Sequence, residues 1–126
     1  MNAFSVQEKI EQAMSRLGQN NRWESMILFT HDGLPMAQIG HSTQYPEDKL
    51  LECAMMLLGT LEAVASQPVR ECVIRGEGPH RLVFRLFEAG GETLILAIVG
   101  SSTKGYFRAM NQVVHAIEQI LTHSEP

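Results

Sequence analysis

The chain has 126 residues, 44% of them hydrophobic and 19% charged, with a formal net charge of -4. That length suits one domain with a core of its own, residues 1–126, and the composition is that of a globular chain rather than a disordered one. The acidic balance, with no Lys/Arg stripe to displace counterions from phosphates, speaks against broad nucleic-acid binding.

Ser5-x-x-Glu8 has the pattern of a capping box, and Val6, Ile10, Ala13, Met14 and Leu17 follow at helical spacing before Gly18, which is expected to stop the helix. From Trp23 to Thr30 the residues turn β-branched and aromatic. His31-Asp32-Gly33 then reads as a tight turn into a second strand, Leu34 to Ile39, ending at Gly40. Pro35, lacking an N–H, belongs at an edge or a strand end.

Pro46, Glu47 and Asp48 are expected to form the first turn of a central helix reaching Ser66. On it, Leu50, Ala54, Leu57, Leu58, Leu61, Val64 and Ala65 share a core-facing stripe. The opposite side carries Cys53, Met55, Met56, Gly59 and Ala63, with Glu52 and Glu62 as its charges. A helix apolar nearly all round needs a second neighbour, and the predicted elements are too few to surround it. The expected neighbour is another protein chain. Met suits adaptable contact surfaces, and Gly59, which costs about 1 kcal/mol against Ala, fits a close helix approach.

Three strand-like runs follow Pro68: Val69 to Arg75, Arg81 to Glu88 and Glu92 to Val99. Gly76-Glu77-Gly78-Pro79 and Ala89-Gly90-Gly91 separate them, so they form an antiparallel meander. The last run is apolar on both faces and belongs in the middle of a sheet covered on both sides. Val69 to Arg75, with Arg70, Glu71 and Arg75, belongs near an edge. A final amphipathic helix places Tyr106, Met110, Val113, Val114, Ile117, Ile120 and Leu121 on one face. The fold class is therefore α+β, in the order α-β-β-α-β-β-β-α.

Chemistry is sparse. Gly100-Ser101-Ser102-Thr103-Lys104-Gly105 lies between a strand and a helix, as a phosphate loop does, but its Lys precedes the Gly with no Ser or Thr after it. Anion binding by that loop is a minor alternative to capping. His31, Asp32 and His41 lack metal-ligand spacing, and no GxSxG elbow is present. No catalytic residue, metal or cofactor is expected. Cys53 and Cys72 lack CxxC spacing and are expected to be free, buried thiols. MNAFSVQEKIEQAM has no secretion-signal pattern, and the longest apolar run is too short to span a bilayer, so a cytoplasmic protein with no membrane partner is expected.

The element order, with ILFTHDGLPMAQIG opening the sheet, resembles the roadblock family, which includes dynein light chains and bacterial regulators of gliding-motility GTPases. Its most specific part is Thr30 to Ala37, similar to the family's "DGLPIA"-type turn. The resemblance implies a five-stranded antiparallel sheet with the first and last helices on one face and the central helix on the other. It also implies pairing of two copies through the third strand and central helix, here Val69 to Arg75 and Leu50 to Ala65, into a ten-stranded sheet. The dimer interface is then expected at Cys53, Met56, Leu57, Thr60, Val69, Glu71 and Val73. Glu52, Met55, Gly59, Glu62 and Ala63 are left to meet a partner. The partner class implied is a Ras-like small GTPase, stimulated through its own switch region, so no arginine is assigned as catalytic. The alternatives are a structural adaptor in a larger complex without effect on nucleotide turnover, or a small-ligand or anion-sensing domain using the loop from Gly100 to Gly105.

Overall fold

The computed structural model describes residues 5–19, 22–63, 70–75, 78–101 and 106–123. In chain order the elements are α1 (Val6–Gln19), β1 (Trp23–Thr30), β2 (Pro35–Gly40), α2 (Glu47–Ala63), β3 (Glu71–Arg75), β4 (Arg81–Ala89), β5 (Glu92–Gly100) and α3 (Tyr106–His123). The strands form one antiparallel sheet in the order β2-β1-β5-β4-β3. The doubly apolar β5 is central, and β2 and β3 are the two edges.

Because side chains alternate along a strand, each inner strand feeds two cores. Met26, Leu28, Val83, Leu94, Leu96 and Ile98 meet Ile10, Met14, Met110, Val113 and Ile117 of α1 and α3. Ile27, Phe29, Leu82, Phe84, Ile95, Ala97 and Val99 meet Leu50 and Ala54 of α2. Two helices thus cover one face and one helix the other, as expected for the α+β order.

The helix ends differ from expectation in two places. The capping box forms, with the Glu8 amide donating to Ser5 Oγ at 3.1 Å and the Ser5 amide to Glu8 Oε1 at 3.3 Å. Gly18, however, does not end α1, which runs on to Gln19. Gly18 packs closely over β1: a Cβ there would lie 2.8 Å from Sδ at the movable end of Met26. Pro46 stands before the first turn of α2 rather than in it: its carbonyl accepts from the amides of Lys49 and Leu50, both at 3.1 Å. No described helix is long and apolar enough to cross a membrane.

Candidate interaction surface

The two sheet edges differ in what they offer. β2 begins with Pro35, and the outward amide of Gln38 donates to Glu11 Oε2 at 2.9 Å, so a carboxylate from α1 occupies that edge. On β3 the Leu86 amide donates to the Arg70 carbonyl at 2.7 Å. Antiparallel ladders alternate residue by residue, so in the pairing of Glu71 with Arg85 through Arg75 with Arg81, Cys72 and Ile74 bond to β4. The main-chain groups of Glu71, Val73 and Arg75 point the other way, where no described strand lies. An edge of this kind is a template for another strand.

Beside it runs one flank of α2. Cys53 and Leu57 are half-buried on the core that also takes Ile74. Burial pushes the Cys53 thiol up from its ordinary value, and the neighbouring Cys72 pushes it further. The two thiols are free and half-buried rather than buried. One helical turn on, Met56 is 73% exposed, and exposed Thr60 donates its hydroxyl to the Met56 carbonyl at 2.9 Å. Cys53, Met56, Leu57 and Thr60 therefore share the β3 flank. Glu71 and Val73 do not join them, because strand parity turns their side chains to the α1/α3 face; Cys72 and Ile74 are the β3 residues on the α2 face. Val69 lies outside the described residues, as do Val64, Ala65 and the Leu61 side chain.

Of the residues expected to meet a partner, Glu52, Gly59, Glu62 and Ala63 are exposed on α2. Nothing lies within 4 Å of a Cβ built on Gly59. Met55 is half-buried on the far flank, its Sδ 3.5 Å from the Cβ position of Gly33, beside Leu51 and the 63% exposed Leu34.

No protein-family model matches the chain, and no curated protein matches it by sequence. Solved structures do. Myxococcus xanthus MglB superposes with a TM-score of 0.73 over 100% of this chain and 96% of its own, at 12% identity. The gliding protein MglB of Thermus thermophilus gives 0.71 over 98% and 96%, again at 12% identity. A Roadblock/LC7 domain from Streptomyces avermitilis gives 0.67 over 90% and 95%, at 18% identity. The chain has the roadblock/LC7 fold.

On the other face of this roadblock sheet, a polar staple ties the open edge to α3. Arg85 grips Glu71 Oε2 through Nε at 2.8 Å and through Nη2, gives Nη1 to Asn111 Oδ1, and lies 5.2 Å from the centre of the Phe107 ring. The Tyr106 hydroxyl donates to Glu71 Oε1 at 3.2 Å. The pattern of single residues scattered over β3, β4 and α3 gave no local signal for this cluster. An open groove of about 330 Å³ adjoins it, lined by Arg70, Glu71, Leu86, Phe107, Val114 and Glu118. Because both side chains of the pair are mostly buried, Arg85→Ala should cost about 2 kcal/mol in urea unfolding by leaving Glu71 without its cation. Arg85→Lys should recover little of it, lacking the planar fork.

Desolvation also raises the Tyr106 phenol, with the Glu71 charge and hydrogen bond adding to it and Arg85 and Arg75 opposing. A raised folded-state value means the folded chain holds its proton more tightly. The stability linked to Cys53 and Tyr106 is therefore full below the ordinary thiol and phenol values, and is lost as pH rises through the raised ones. Urea midpoints should fall from about pH 9 upward, and Cys53→Ser and Tyr106→Phe should each remove part of the fall.

The remaining sequence candidates bring nothing together. His31 and Asp32 pair at 3.1 Å on an exposed turn, and His41 is exposed. Among the described residues no three His, Cys, Asp or Glu side chains are placed to hold a metal ion. Residues 102–105 of the loop from Gly100 to Gly105 lie outside the described residues.

Proposed function

We propose that this protein acts in the cytoplasm as a homodimeric, non-catalytic regulatory or scaffold protein that binds a Ras-like small GTPase and modulates its nucleotide cycle. The observation that carries the dimer is the open β3 edge beside the exposed Met56 flank, set against a β2 edge that begins with Pro35 and whose outward Gln38 amide is already taken by Glu11. Adding a strand at β3 and burying Met56 against a second α2 would satisfy both features of the same rim.

The GTPase comes from the sequence resemblance to gliding-motility regulators, and the Thermus thermophilus structure sharing the fold is a gliding protein, MglB. In the dimer the paired α2 helices form the platform. Glu52, Gly59, Glu62 and Ala63 face outward, and Met55 and Leu34 edge it on the far flank. Two carboxylates around a small-residue centre suit a partner surface that is basic at its rim and close-packed in its middle.

The test is GTP turnover by a Ras-like GTPase from the same genome, with and without the protein. A changed hydrolysis or exchange rate, lost in Gly59→Arg, supports the regulatory reading. Binding with unchanged turnover assigns an adaptor instead, and no binding to any such GTPase overturns the partner class.

A further inference from the structure

The charges along β3 select a single way for two copies to meet. The outward main-chain groups belong to Glu71, Val73 and Arg75, and a second antiparallel β3 must bond to residues of that same set. Five registers satisfy this. Centring the pair on Glu71 or on Arg75 puts like charges face to face, which is destabilising. Centring it on Cys72 or Ile74 sets a charged residue against Val73. Centring it on Val73 pairs the whole strand and sets Glu71 against an arginine at both ends.

The isolated chain is prepared for that arrangement. Arg75 is exposed, makes no hydrogen bond or ion pair among the described residues, and lies directly across the ladder from Arg81. Arg81 turns its guanidinium to the carbonyls of Gly78 and His80, at 3.2 and 3.0 Å. The β3 end of the sheet thus holds two cations in register, with no carboxylate paired to Arg75 or Arg81 among the described residues. Glu71 is already fixed by Arg85 and Tyr106, and carboxylate oxygens retain lone pairs for a further donor.

We propose that two copies join β3 to β3 with Val73 opposite the partner's Val73 and Glu71 opposite the partner's Arg75, so each chain's Glu71 carboxylate faces the other's exposed Arg75. On the α2 face the same register sets Cys72 against the partner's Ile74, so the two Cys72 thiols do not meet. This pairing rests on the dimer reading above and adds its register.

The register is read by disulfide trapping. In a Cys53→Ser, Cys72→Ser background, Val73→Cys places two thiols on residues about 5.5 Å apart between Cα atoms, within disulfide range. Mild oxidation with diamide should double its mass on a non-reducing gel, while Cys53→Ser alone, which keeps Cys72, should stay at single-chain mass. If Val73→Cys fails to fold, Ile74→Cys in the Cys53→Ser protein serves, because it faces the partner's Cys72 and should also double. Light scattering on the reduced proteins separates the two levels. A dimer that traps through Cys72 alone, or through none of these positions, overturns the register and leaves the dimer standing. A reduced protein of single-chain mass overturns both.

Discussion

Met56→Glu is expected to convert the dimer to monomers at low micromolar concentration. Met56 is 73% exposed in the single chain, on the α2 flank that adjoins the open strand. Fully burying a Met is worth roughly 1.5–3 kcal/mol, and a twofold interface counts the residue twice. Losing both contacts removes about 3–6 kcal/mol, or roughly 10²–10⁴-fold in dissociation constant, before the cost of bringing two carboxylates into an apolar contact. The fold itself should hardly notice. A change at so exposed a position moves the single chain's unfolding stability by about 0.5 kcal/mol or less, so light scattering should report folded monomers, melting lower only by the association energy lost. Val73→Lys is a poorer probe, because Val73 packs on the α1/α3 core and the change would injure fold and interface together.

The largest expected loss of stability comes from Gly40→Ala. Gly40 closes β2 opposite Ser25 with φ of 72°, and a Cβ built there would lie 2.1 Å from the Glu24 carbonyl oxygen. That oxygen is main chain and cannot swing aside. It also accepts the His41 amide at 2.9 Å, a bond that any retreat of the strand would break. Positive φ, a backbone clash and a lost hydrogen bond together should cost about 3–5 kcal/mol. Thermal unfolding should shift down by roughly 10–20 °C. A shift of only a degree or two would mean that the β1–β2 end is far more pliable than the close approach of Gly40 to Glu24 requires. Gly18→Ala is the useful contrast, since its Cβ would meet the movable end of Met26, and the effect should be small.

Much of this fold is legible in one sequence because its signals are local. LILAIV announces the central strand, the polar run through Glu71 an edge strand, and Ser5 with Glu8 a helix start; each rests on a few neighbouring residues. What escapes the sequence depends on residues far apart in it. Gly18 reads as a stop until Met26 is placed beneath it, and Glu11 reads as a solvated charge until it reaches the Gln38 amide. The interaction surface shows the same division. The family resemblance collects Cys53, Met56, Leu57 and Thr60 in one interface, but it does not say which β3 side chains lie on that side. Strand parity, known only once β3 is paired with β4, turns Glu71 and Val73 to the other face and puts Cys72 and Ile74 beside α2. Met55 looks equivalent to Met56 in the sequence, yet one is tucked beside the β1–β2 turn and the other stands in water.

Every functional step proposed for this molecule needs two chains joined at β3 and α2. The mass of the unmodified protein by multi-angle light scattering, across micromolar concentrations under reducing conditions, tests that requirement most directly. A particle of twice the 14.1 kDa chain is expected. A particle of single-chain mass throughout that range would contradict it, leaving Met56 and the outward groups of β3 to be covered by something other than a second copy.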